Sequence, residues 1–316
     1  MAFYTALDER ELDTFRLGFN IEPVASYTGA SDGIENTTYF LTAGSRRFVL
    51  TLFEDISMSE LPFFIGLMQW LDQCGLPVAC PLQDSSGVTL HVLSGKPALL
   101  FPCLPGRHPS PVTLAQCIAV GTCLGRMHAS TQAYPEQKPN SRSTAWMEGA
   151  RSQLRDLLCD EDIALLDSQI HNSQWLRLQA GLPVGVIHGD LFHDNALFEG
   201  EHLTGIIDFY NACTDVLLLD LAIVVNDWCV EPSGGLNGHL MAALVAAYQG
   251  ERPLEEKEKQ SWQQVLQLAA SRFWLSRLLA EKLPSKHGVV HSHKPSAEYR
   301  ARLIHHAEHK YCIVDN

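Results

Sequence analysis

The residues best equipped for chemistry sit in one run, Val186-Ile187-His188-Gly189-Asp190-Leu191-Phe192-His193-Asp194-Asn195-Ala196-Leu197-Phe198, followed by Gly205-Ile206-Ile207-Asp208-Phe209. Apolar residues flank each polar group, so two carboxylates and an amide are held at strand and loop ends, where rigid packing can fix them. Phosphoryl transfer needs a group that orients the attacking hydroxyl, and oxygen ligands for the magnesium that bridges the phosphates. Asp190 suits the first task, as a base or hydroxyl-orienting carboxylate. A short loop can turn Asn195 back toward a metal, and Asp208 on the far arm of a hairpin supplies a carboxylate ligand.

Other readings compete for the same residues. An Asp-Asn pair in a turn is commonly an Asx-turn or a helix cap, but the full run with Asp208 at hairpin spacing outweighs that. The stretch H-G-D-x-x-H-D-N also holds ligand types of a two-metal hydrolase. The first third of the chain has no matching motif to complete such a site, and His128 suits a hydrogen-bonded helix histidine equally well. His188 reads as a brace for the loop, with substrate contact as the alternative, and His193 and Asp194 read as solvent-facing. Asp220 lies in the apolar run Leu217-Leu218-Leu219-Asp220-Leu221-Ala222. A buried charge needs a partner, so Asp220 is expected to brace the same loop. Tyr210, Asn211, Asp215, Asn226, Asp227 and Trp228 follow closely enough to line an acceptor site.

These residues need a scaffold. Leu7 to Phe19 has the spacing of a short amphipathic helix, closed by Gly18 and Asn20. Ile21 to Tyr27, Asn36 to Leu41 and Arg47 to Phe53 read as strands, with a glycine-containing turn from Gly29 to Gly33. Leu61 to Cys74 is a helix with one apolar face. Val78 to Leu82, Val88 to Leu93 and Pro97 to Phe101 complete an antiparallel sheet, and Pro102 and Pro105-Gly106 mark a boundary near residue 103. Beyond it the pattern turns helical: Thr113 to Ser130, Leu154 to Leu178, Asp215 to Cys229, Leu240 to Tyr248, Glu255 to Leu283 and Ala297 to Tyr311. A short strand, Val184 to His188, and a hairpin, Ala196 to Ile207, interrupt it. The expectation is an α+β chain: a sheet-rich lobe with one helix over 1–103 and a larger helical lobe over 104–316.

Whole-chain numbers narrow the partners. The 316 residues carry 23 basic and 36 acidic side chains, a net charge of −13 that repels a phosphate backbone and disfavours nucleic-acid binding. The apolar runs fall short of the roughly 18–20 residues that span a bilayer, and the first residues lack the apolar core of a signal peptide. Nine cysteines form no CxxC pair, consistent with reduced thiols and a cytoplasmic location.

Together these segments resemble the aminoglycoside phosphotransferase-like kinases, which share the protein-kinase fold. H-x-D-x-x-x-x-N resembles the kinase catalytic loop, and Ile206-Ile207-Asp208-Phe209 resembles its metal-binding D-F-G element without the glycine. The chain is most similar to the type II homoserine kinases, through Met1-Ala2-Phe3-Tyr4-Thr5, Gly33-Ile34-Glu35-Asn36-Thr37, Val49 to Glu54, Leu61 to Met68, Val186 to Asn195 and Ile206 to Cys213. The resemblance implies a bilobed fold, ATP and Mg2+, and phosphorylation of homoserine on the route to threonine. It implies Asp190 as base and Asn195 and Asp208 as magnesium ligands. Gly29, Gly33 and Asn36 would lie over the ATP phosphates, and Leu100, Phe101 and Cys103 would belong to an adenine-binding hinge. Thr51 stands where kinases place a phosphate-pairing lysine, a departure that leaves the phosphate clamp open, with Arg46 and Arg47 nearby. His188, Tyr210, Asn211, Asn226 and Trp228 are the acceptor-side candidates. Composition alone does not separate homoserine from choline, ethanolamine, methylthioribose or an aminoglycoside, nor a kinase from a noncatalytic nucleotide-binding protein.

Overall fold

The computed structural model describes residues 5–30, 36–178, 180–231, 234–283 and 295–313. The chain divides into two compact units, Met1–Pro105 and Gly106–Asn316.

The first unit opens with helix α1 (Glu9–Gly18), started by the Asp8 carboxylate, which accepts from the amides of Arg10 and Glu11. Strands β1 (Val24–Gly29), β2 (Asn36–Ala43) and β3 (Arg46–Phe53) precede helix α2 (Leu61–Gln73), and β4 (His91–Leu93) and β5 (Lys96–Pro102) follow it. The five strands pair antiparallel in the order β1-β2-β3-β5-β4. One face of this sheet buries Tyr39, Leu41, Phe48, Leu50, Leu52 and Leu100 together with Leu12 of α1. Val78 to Leu82 does not form the expected strand. Pro77 and Pro81 lack amide hydrogens, so the segment cannot sustain a ladder, and it joins the sheet edge through the Leu82 amide and Leu100 carbonyl at 2.7 Å.

In the second unit come α3 (Leu114–Ser130), α4 (Thr144–Leu154), α5 (Asp160–Leu178), β6 (Val184–Ile187), β7 (Ala196–Glu199), β8 (His202–Ile206) and β9 (Cys213–Val216). Helices α6 (Leu217–Trp228), α7 (Gly238–Glu251), α8 (Glu256–Gln260), α9 (Trp262–Lys282) and α10 (Ser296–Glu308) complete it. A capping box between Thr113 and Gln116 starts α3. Every residue of α6 except Asp227 is buried, as expected of a helix that is apolar on all sides. Two small ladders position the polar residues, β7 with β8 and β6 with β9.

Two elements of the second unit differ from expectation. Helix α4 begins ten residues before the predicted one, in a polar stretch with little apolar periodicity. Strand β9 takes in Asp215 and Val216, the first two residues of the expected helix, because its residues acquire their conformation by pairing with β6. The sheet-rich first unit and helix-rich second unit make the α+β plan of the protein-kinase-like fold. Among the described residues no helix is long and apolar enough to cross a membrane.

Candidate active site

The loop after β6 is held by its backbone. The Asp220 carboxylate, on α6, accepts from the amides of His188 (2.7 Å) and Gly189 (2.8 Å). Gly189 has φ +77°, and a Cβ there would lie 2.8 Å from the Asn211 carbonyl oxygen, so glycine is required on both counts. Burial alone would raise the Asp220 pKa, but the hydrogen bonds from His128 (3.1 Å) and from the Gly189 amide hold it below the usual carboxylate range. His128 is itself bonded to the Tyr248 hydroxyl at 2.7 Å. That hydroxyl accepts from Arg252, which makes a paired contact with Glu258.

His188 is fully buried, so the expectation of a substrate contact is corrected. Its Nε2 donates to the Ile207 carbonyl (3.0 Å) and its Nδ1 accepts from the Asp190 amide (3.3 Å). Burial pushes the imidazole pKa down, which suits this neutral tautomer. One ring thereby ties the backbone before Asp190 to the backbone before Asp208.

Asp190, Asn195 and Asp208 come together. The Asn195 side-chain amide donates to the Asp190 carbonyl at 2.8 Å and lies 3.5 Å from its carboxylate. The Ile207 amide donates to the Asn195 carbonyl at 3.0 Å, and Ala196 pairs with Ile206, so Asp208 stands beside Asn195 at the open end of the β7–β8 hairpin. Asp208 is exposed and left-handed, at φ 62°, a conformation that costs a non-glycine residue about 1–2 kcal/mol and concentrates at functional sites. With its nitrogen engaged, Asn195 can present its side-chain oxygen to a cation. That oxygen and the Asp208 carboxylate are both hard donors, the type that suits Mg2+. The histidines a two-metal hydrolase would use are engaged elsewhere: His128 and His188 as above, and His193 with Asp227 at 2.7 Å.

The acceptor-side expectations divide. Tyr210 and Asn211 are half-buried directly after Asp208, and burial with the Asp208 charge raises the Tyr210 hydroxyl pKa. Trp228 and Asn226 are corrections, because both are buried in the framework. The Trp228 indole donates to the Leu191 carbonyl at 3.1 Å. The Asn226 amide spans α6, α9 and α10, donating to the Leu266 carbonyl (3.0 Å) and accepting from His306 (2.7 Å). Asp215 is likewise taken, by Arg177 and Asn140. Sequence reasoning missed Arg272, whose guanidinium donates to the Gly189 carbonyl. Its only sequence signal is a charge inside the apolar run Ala269-Ala270-Ser271-Arg272-Phe273-Trp274.

The nucleotide-side candidates lie in the first unit. Gly29 ends β1 opposite Tyr39, Asn36 opens β2 opposite Phe53, and Gly33 lies outside the described residues. Thr51 is buried in β3 between Thr38 and Leu99, and offers no charge in place of the lysine. Phe101 pairs with Val49, and the Cys103 amide donates to the Arg47 carbonyl at 3.0 Å. Leu100 is a correction: its side chain is in the α1-side core and its carbonyl accepts from Leu82, so it is not available to an adenine ring.

The phosphotransferase enzyme family model matches residues 26–256. The chain belongs to that family. Over 304 residues it is 39% identical to a homoserine kinase of Pseudomonas aeruginosa strain PAO1, covering 96% of each chain. It is 37% identical over 307 residues to a homoserine kinase of Methylobacillus flagellatus, covering 97% of this chain and 95% of the relative. Within the phosphotransferase family the chain therefore groups with the homoserine kinases. Its fold is similar to that of an amicoumacin kinase solved with AMP-PNP and Ca2+, with a TM-score of 0.72 at 17% identity over 95% of this chain and 92% of that one. As a member of the phosphotransferase family, it is an ATP-dependent kinase acting on a small hydroxylated substrate.

Proposed function

We propose that the chain transfers the terminal phosphoryl group of ATP to the side-chain hydroxyl of L-homoserine, giving O-phospho-L-homoserine and ADP, and that it uses Mg2+. The observation that carries this reading is the convergence of Asp190, Asn195 and Asp208 in a chain that groups with the homoserine kinases. Asp190 would hold the acceptor hydroxyl and take its proton, with His188 and Asp220 fixing the loop so that little reorganisation accompanies the transfer. Bound at Asn195 and Asp208, magnesium would neutralise phosphate charge. Tyr210 and Asn211 are proposed to line the acceptor side, and Gly29, Asn36, Thr51, Phe101 and Cys103 the nucleotide side. The nine cysteines, all unpaired, support a reducing cytoplasmic setting.

The test is ADP formation with L-homoserine, choline, ethanolamine and kanamycin, with Mg2+ titrated into parent and Asp208→Asn protein. Turnover is expected with homoserine, together with loss of most metal-dependent activity in the variant. Absence of homoserine turnover, or superimposable magnesium curves, would overturn the reading.

A further inference from the structure

The residues after Asp190 are braced from a different side than those before it. The Phe192 amide donates to the Asp190 carbonyl at 2.8 Å, and the Phe192 carbonyl accepts from the Asn195 amide at 2.9 Å. Phe192 is thus the middle of the turn that carries both the candidate base and a candidate metal ligand. Its side chain makes no conventional hydrogen bond, so packing has to fix it.

That packing comes from the last helices of the chain. The Phe192 ring lies 4.6 Å, between centroids, from Phe273 of α9. It lies 6.3 Å from Tyr299 of α10, stacked at an interplanar angle of 11°. Phe273 and Tyr299 close the triangle at 5.4 Å. Phe192 is 6% exposed and Tyr299 is fully buried. Among the described residues the Tyr299 hydroxyl has no hydrogen-bond partner. An enclosed, unpaired hydroxyl opposes folding, so what this position uses is the ring.

Tyr299 is itself held firmly. The guanidinium groups of Arg277 and Arg302 each lie 4.3 Å from its ring centroid, within cation–π range. Both arginines bond the Glu298 carboxylate, at 2.8 and 2.9 Å. Helix α10 is fastened to α9 by Ser296 and Glu281 (2.6 Å), to α5 by Arg300 and Asp162 (2.6 Å), and to α6 by His306 and Asn226 (2.7 Å).

The structure assigns Tyr299 and Phe273 as positioning residues, whose rings hold Phe192 and, through its backbone, set the places of Asp190 and Asn195. This rests on the phosphoryl-transfer reading of the site and extends it to α9 and α10. A displacement of about 1 Å in a reacting group can cost on the order of 100-fold in rate, so the packing of one ring has leverage over the reaction.

The test measures ADP formation with L-homoserine, with Mg2+ titrated, in parent, Tyr299→Leu, Tyr299→Phe and Phe273→Leu, together with thermal melts. In Tyr299→Leu, kcat is expected to fall about 10- to 100-fold, and the Mg2+ concentration giving half the maximal rate should rise several-fold, because Asn195 moves with the turn. Tyr299→Phe keeps the ring and should hold both quantities within about twofold of the parent. Destabilisation alone would shrink the amount of active protein and leave the Mg2+ half-saturation where it is. If Tyr299→Leu fails to fold, the half-buried Phe273 gives the same comparison through Phe273→Leu. Parental kinetics in both leucine variants, a loss of rate with unmoved half-saturation, or equal losses in Tyr299→Phe and Tyr299→Leu would overturn the anchor and leave the homoserine reading intact. Parent protein that does not turn over homoserine overturns both.

Discussion

Asp190 follows directly on two amides that are held by a buried carboxylate, and its own amide is held by His188. The loop is thus fixed through its backbone while the Asp190 side chain lies beside Asn195. A residue placed in this way can be changed without unfolding the loop. Asp190→Asn is expected to retain the fold and to lower kcat about 10²- to 10⁴-fold, the usual worth of a positioned base. The KM for ATP should stay within about twofold, because the lost contact is to the acceptor. Steady-state assays at saturating homoserine measure both, and a parental kcat would remove Asp190 from the chemistry.

At the scale of elements, α6 is the post on which the site is built. Asp220 near its start holds the loop amides, and Trp228 at its end holds the Leu191 carbonyl. Helices α3 and α7 supply the next layer, joined by the hydrogen bond between His128 and Tyr248. They cross closely because Gly121 and Gly125 face α7. A Cβ on Gly121 would overlap the Leu244 carbonyl oxygen, and one on Gly125 would lie 2.7 Å from the Tyr248 carbonyl oxygen. Gly121→Ala should therefore force the helices apart and cost about 1–3 kcal/mol, as overpacking does. Alanine is the better helix former, so urea unfolding of parent and variant tests the packing argument directly. An unchanged or raised midpoint would show that the helices adjust freely.

For the whole molecule, buried histidines contribute to the response to mild acid. His306 is enclosed, donates through Nε2 to Asn226, and has no partner for Nδ1. Burial, with the charges of Arg302 and His305, lowers its pKa to about 3. In the unfolded chain a histidine titrates near 6.5. The unfolded state therefore binds the extra proton between these values, and stability present above about pH 6.5 is lost progressively as pH falls toward 3. One pH unit below the unfolded value the loss is about 1.4 kcal/mol from this group. His188, shifted in the same direction, adds to it. Urea midpoints at pH 7.5 and 5.5 should show this fall in the parent and a smaller one in His306→Gln, whereas parallel profiles would remove His306 as a source.

What could be read from the order of residues was whatever depends on local spacing. The period of the strands and helices, the sheet-then-helix division and the placing of Asp190, Asn195 and Asp208 around the open end of one hairpin all follow from short-range pattern. That hairpin brings residues close in sequence together in space. Tertiary structure alone decided which neighbouring polar groups face inward. Trp228 and Asn226 look like binding residues in a linear reading, yet their partners lie 37 and 40 positions away and take them into the framework. Leu100 is drawn into the core in the same way, and β9 is a strand because β6 lies beside it. Arg272 reaches Gly189 across 83 positions, a separation no local pattern encodes. Burial and hydrogen-bond pairing are set by the packing of distant segments, so a side chain's availability to a ligand is decided only when the chain has folded.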